Sequence, residues 1–189
     1  MLEKSEVLGV GWIRQNSFGL SHKGLRNSYS DQKSLYELLR KESILAYPVE
    51  NFSRFDSSSK NTLLGIALAL YDAGVTYSKE KKQNIAILAT NESGSMDANH
   101  AYFKDYVENG RTLGRGNLFI YTLPSSPLAE SAIHFGLTGP LLYLGFDQKP
   151  FPRLLGFTKD MIGQGKVKLA LAVKTDINRT LCFVLGNKK

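Results

Sequence analysis

The chain is poor in the residues that hold metals, close disulfides or attack carbonyls. Among 189 residues it has one cysteine, Cys182, and three histidines, His22, His100 and His134. A lone cysteine excludes an internal disulfide and a thiol-rich zinc site. Histidines so far apart show no ligand-like spacing. No metal and no cofactor is expected. Long apolar runs are missing too: none approaches the ~20 residues of a membrane helix. Residues 1–20 lack the basic start, apolar run and small-residue cleavage site of a secretory signal. The expectation is a cytoplasmic protein with no membrane partner. Acidic residues are in deficit, 17 against 24 Lys and Arg, a formal net charge of +7. A basic balance invites an anionic partner. The lysines cluster only at Lys79, Lys81 and Lys82 and at the terminal pair Lys188 and Lys189. Neither cluster is interleaved with aromatics as a nucleic-acid groove would be, so no nucleic acid is expected.

What is present suits one soluble domain over residues 1–189, with 42% hydrophobic and 22% charged residues. Val7–Ile13 reads as a buried strand, and the Ser-, Asn- and Gly-rich stretch 15–32 as a loop. Leu35, Leu38 and Leu39 give Ser34–Leu45 helical spacing, ended by Pro48. The run Leu63–Tyr71, apolar all round and stopped by Gly74, predicts a helix buried on several sides. Asn84–Ala89 is a buried strand. Residues 98–108 are expected to be helical, with the stripe Tyr102, Phe103 and Tyr106 in the core. Gly110, Gly114 and Gly116, with Arg111 and Arg115, mark a flexible loop. Ser126 followed by Pro127 reads as an N-cap and first helical position, for a helix running through Phe135 to Gly136. Pro140–Phe146 is a strand and Pro150–Ile162 a helix. Val167–Val173 and Leu181–Leu185 are strands joined as an antiparallel hairpin. Strands alternating with helices imply an α/β fold with a parallel sheet and helices on its faces.

Chemistry is best placed where a strand feeds directly into a helix. The side chain there is lifted out of the sheet, and the free N–H groups of the helix start lower a thiol's pKa and stabilise an oxyanion. The turn from Gly145 to Pro150 has this position but carries no Cys, Ser or Thr. Gln148 exchanges hydrogen bonds but cannot attack a carbonyl.

Residues 123–174, with FGLTGP before the strand and Gly165 after the helix, resemble the core of β-ketoacyl synthases of the thiolase fold. RFDSSSKNTLLGIALALYDAGV and NIAILATNESGS are similar to that family's first core helix and second strand. The resemblance spans roughly residues 5–186 and implies a thiolase-like half: a five-stranded mixed, mostly parallel sheet with helices on both faces. The family's nucleophilic cysteine lies eight residues past the Pro, which here is Gln148. Cys182 cannot substitute, because a cysteine in a buried strand is a small core residue. None of the three histidines matches a catalytic position of the family, whose histidine-bearing half is expected to be absent. The resemblance therefore implies a non-catalytic subunit, similar to the chain-length factors of two-component polyketide systems and the shortened subunits of aryl-polyene pathways.

Such a subunit pairs with a full-length β-ketoacyl synthase, or with itself, and serves an acyl carrier protein. The family's dimer strand maps onto Leu141, Leu142, Tyr143, Leu144 and Phe146, with a plain core strand as the alternative. Its tunnel-base positions map onto Leu118, Phe119 and the neighbourhood of Ser93, with core packing as the alternative. Where two halves normally shield each other, the helix Leu63–Tyr71 is expected to be partly exposed. Burying about 1,000 Å² of such surface stabilises by roughly 25 kcal/mol before association costs. Two other functions fit the same residues: a stand-alone scaffold that docks acyl carriers or lipids, and a Gln-type malonyl decarboxylase.

Overall fold

A computed structural model describes residues 5–110, 112 and 114–187. Arg111 and the pair Lys188 and Lys189 lie outside the described residues. Seven strands form one sheet: β1 (Ser5–Arg14), β2 (Ser17–Leu20), β3 (Leu25–Ser28), β4 (Ile85–Thr90), β5 (Leu141–Tyr143), β6 (Leu169–Asp176) and β7 (Arg179–Asn187). Their order is β3-β2-β1-β7-β6-β4-β5. The sheet is α/β in class, as expected, but the five-stranded, mostly parallel arrangement is corrected. Only β4 with β5 and β4 with β6 pair in parallel. The other four pairings are antiparallel. The difference lies in residues 15–32, expected to be a loop, which supply β2 and β3. Polarity misled there because β3 is exposed along its length, and such a strand carries no apolar alternation.

Helices α1 (Gln32–Lys41), α2 (Ser57–Asp72) and α5 (Ser126–Phe135) pack on one face of the sheet, and α6 (Pro150–Gly163) on the other. Helix α1 stops at Lys41, well before Pro48. Asp31 caps α1 and Asp56 caps α2, each accepting from a backbone N–H of the first turn at 2.8 Å. Helix α5 starts one residue earlier than the Ser-Pro pair suggests: Ser125 holds the cap position, and the Ser126 hydroxyl donates to the Ile120 carbonyl instead.

Helix α2 sits unusually close to β1, and glycine makes this possible. A Cβ on Gly11 would lie 2.4 Å from the Ala69 nitrogen, and one on Gly9 2.4 Å from the Ala73 nitrogen. The contact closes over α2 up to Leu70: Leu63, Leu64, Ile66, Ala67, Leu68, Ala69 and Leu70 are all 0% exposed, and only Tyr71 of the apolar run is exposed, at 39%. The expectation that this helix would be partly bare is therefore corrected. The sheet, α1, α5 and the segment Ile44–Phe55 cover it within the single chain. Its end is tied down by Asp72, whose buried carboxylate accepts the Val10, His22 and Lys23 amides at 2.7, 3.1 and 2.9 Å.

The excursion between β4 and α5 is looser. Helix α3 (Met96–Glu108) has no buried residue. Tyr102 and Tyr106 are half-buried and Phe103 is 63% exposed, so the stripe is not core. Residues 117–122 form a short helix, α4 (Gly116–Phe119), and a 3-10 turn (Ile120–Thr122).

Candidate functional site

The strand does not feed directly into the helix as expected: six residues, Leu144–Lys149, join the end of β5 to α6. Strand β5 ends at Tyr143, and the Leu144 amide donates to the Ala89 carbonyl at 2.8 Å, one last bond to β4. Asp147 and Gln148 then stand exposed. Lys149 takes the helix-cap position at φ 46, ψ 55, a left-handed conformation in which a side chain is strained. The helix start is a poor anion cradle. Pro150 and Pro152 remove two of its first three N–H groups and leave only Phe151 among them. With no thiol or hydroxyl in the turn, the arrangement can hydrogen-bond through the Gln148 amide but offers no nucleophile of the ketosynthase kind.

Strand β5 is the edge of the sheet. It pairs with Ile87–Ala89 of β4 and with no other strand among the described residues. Leu141, Leu142, Tyr143, Leu144 and Phe146 are all half-buried, so the alternative of a central core strand is overturned. Leu141 and Tyr143 pack toward the α2 face, and Leu142, Leu144 and Phe146 toward the α6 face. The Tyr143 hydroxyl donates to Asn91 Oδ1, and its partial burial raises its pKa.

The three tunnel-base positions are not brought together. Ser93 lines a cleft of about 200 Å³ at the ends of β4 and β6, with Asp56, Asn91, Asp97, Tyr121 and Asp176. Leu118 is half-buried on α4 and Phe119 is 53% exposed, its ring edge-on to Tyr102 at 5.6 Å. Neither lines that cleft. Cys182 is fully buried in β7, where desolvation pushes its thiol far above the ordinary range. It has no access to any site.

The sequence named His134 but gave it no role. It lines a cleft of about 460 Å³ between α5 and residues 47–55, with Glu50, Arg54, Lys79 and Glu130. It is 9% exposed, and its Nε2 has no hydrogen-bond partner. Burial first, then the Lys79 and Arg40 charges, lower its pKa to about 4, so the ring is neutral at pH 7. Burial also raises the Glu130 carboxyl. The available signal was the i, i+4 spacing of Glu130 and His134, which places both on one side of α5. Among the described residues no group of three His, Cys, Asp or Glu could hold a metal ion, and no helix is long and apolar enough to cross a membrane.

Together these features define a fold like that of solved ketosynthase structures. No protein-family model matches the chain, and no curated protein matches it in sequence. Solved structures do match its fold. The ishigamide ketosynthase/chain length factor superposes with a TM-score of 0.66 at 10% identity, over 97% of this chain and 62% of that one. A β-ketoacyl synthase from Burkholderia phymatum gives 0.65 at 14% identity, over 98% and 59%. The complex of a ketosynthase with its chain length factor from Xenorhabdus doucetiae gives 0.64 at 12% identity, over 98% and 79%. The chain thus spans about three fifths of the length of the first two of these structures.

Proposed function

We propose that this protein is a non-catalytic, chain-length-factor-like subunit that pairs with an active β-ketoacyl synthase in polyketide or fatty-acid-type biosynthesis of the aryl-polyene kind. The observation that carries the reading is the β5–α6 turn. The fold keeps a strand, a six-residue connection and a helix, and the position that the sequence resemblance assigns to the nucleophile is an exposed Gln148. The partner supplies the cysteine.

The unpaired edge of β5 supports association. An open strand edge pairs with another chain unless it is blunted, and Leu141–Phe146 carries no charge along it. An antiparallel partner strand there would extend the sheet across the dimer axis. The acyl carrier delivers its cargo to the pair, and Leu118 and Phe119, which stand apart from Ser93, limit the length of the growing chain from this side.

Co-expression with the ketosynthase encoded beside it, followed by size exclusion, tests the pairing. A stable mixed complex is expected, and a homodimer that ignores the ketosynthase refutes the reading. In the complex, Leu118→Ala with Phe119→Ala lengthens the product. Unchanged product length in an intact complex removes the tunnel role. Malonyl-carrier decarboxylation by the purified chain alone would favour the decarboxylase instead.

A further inference from the structure

On the α6 side of the sheet, two neighbouring cross-strand rows end in a cleft of about 530 Å³ that no feature described so far uses. The first row runs Arg26, Gly19, Trp12, Leu181, Lys174 across β3, β2, β1, β7 and β6. The second runs Ser28, Ser17, Arg14, Arg179, Asp176 across the same strands. Gly19 gives the first row its shape. A Cβ there would lie 2.5 Å from Trp12 Cζ2, so only glycine lets the indole lie across β2. Arg26 then reaches the indole, its guanidinium carbon 5.8 Å from the ring centroid.

The charge in this cleft is unbalanced. Arg14, Arg26, Lys174 and Arg179 face two carboxylates, Glu92 and Asp176. Lys174 and Glu92 pair with each other. None of the three arginines has an ion-pair partner among the described residues. Arg14 and Arg179 also stand directly opposite in the β1–β7 register. Like charges at directly opposed positions disfavour a strand pair, although Arg179 is opposed on its other side by Asp176.

We propose that this cleft is a binding site for a phosphate-type oxyanion, held by the Arg14 and Arg179 guanidiniums with Arg26 and the Trp12 indole as its wall. Guanidinium forks match phosphate oxygens bidentately. The anion removes the Arg14–Arg179 repulsion, so binding stabilises the fold. The proposal does not depend on the partner reading.

Trp12 is the single tryptophan of the chain, so its fluorescence reports the cleft alone. Inorganic pyrophosphate is titrated into the purified chain at low ionic strength. A saturable change in emission is expected, with binding weakened about tenfold in Arg14→Gln, a loss of one charge-assisted contact. Lys33→Gln, which removes the same charge far from the cleft, should bind as the parent does. Arg14→Gln should also melt no lower than the parent, while the same pyrophosphate concentration raises the parent's Tm more than the variant's. Phenyl phosphate against inorganic phosphate separates the two sources of the oxyanion. Tighter phenyl phosphate marks a ligand whose ring meets Trp12, and equal affinity marks the free anion. The proposal is overturned if emission shows no saturable change up to about 10 mM ligand, or if Arg14→Gln and Lys33→Gln weaken binding equally.

Discussion

Helices α2 and α6 pack on opposite faces of the same strands, yet only one of those faces is closed. On the α2 side, α1, α5 and the segment Ile44–Phe55 complete the cover, and the seven apolar residues on either side of Gly65 from Leu63 to Leu70 lose all contact with solvent. On the other side α6 lies alone. Its own Leu154, Met161 and Ile162 are buried against the sheet. Trp12, Leu181 and Phe183 remain half-buried around it, and Phe157 on its outer side is 42% exposed. The closed face holds the stability of the domain. The open face and the β5 edge hold the surface on which a partner or ligand can act.

The comparison breaks most severely where α2 meets β1. Gly11→Val puts a side chain into the Ala69 backbone, and overpacking of that kind destabilises by about 3 kcal/mol or more. Urea unfolding measures it, and a loss below about 1 kcal/mol would show that the closed face is not tight. Asp72→Ala comes next. It orphans the Val10, His22 and Lys23 amides and should lower stability by about 2–3 kcal/mol, given what hydrogen bonds to a charged group contribute.

The closed face should also be sensitive to acid through His134. Its folded pKa of about 4 lies below the ordinary 6.5, so between those values the unfolded chain binds the proton and the folded chain does not. Stability is full above pH 6.5 and falls as pH drops toward 4. The loss is roughly 2 kcal/mol once discounted for partial solvent access. Urea midpoints across that range should slope in the parent and flatten in His134→Phe. Parallel slopes would place the titration elsewhere.

Much of the closed face was legible in the sequence. The run Leu63–Tyr71 announced a helix without a polar side, and NIAILA announced a strand buried on both faces. The same reading failed on their surroundings, because what covers α2 is set by packing rather than by α2 itself. The glycines of LGVGWI show why. Gly9 and Gly11 look like flexibility in the sequence and turn out to be contact points with a helix some 50 residues on. Residues 15–32 hid two strands because their cross-strand partners, not their own apolar pattern, make them a sheet. At the candidate site, spacing located the Gln148 turn well. It could not show that Leu118 and Phe119 stand apart from Ser93, or that Arg14 and Arg179 face each other, because both facts arise from register across distant segments.

The smallest effect on stability should come from the open face, and it sharpens the contrast best. Phe157 lies on the outer side of α6, so Phe157→Ser removes a ring that is not part of the core. Surface substitutions of this kind stay within about 0.5 kcal/mol. In isolation the variant should therefore unfold with the parent. Association makes the opposite demand. A half-exposed aromatic on the outer side of α6, which also carries Arg153, Lys159 and Asp160, is the type of side chain that anchors a contact, and its loss should weaken a mixed complex about tenfold or more at unchanged fold stability. Sedimentation of the variant with the ketosynthase measures this directly. If the complex forms as tightly as before, α6 is not part of the contact, and pairing must rest on the β5 edge alone.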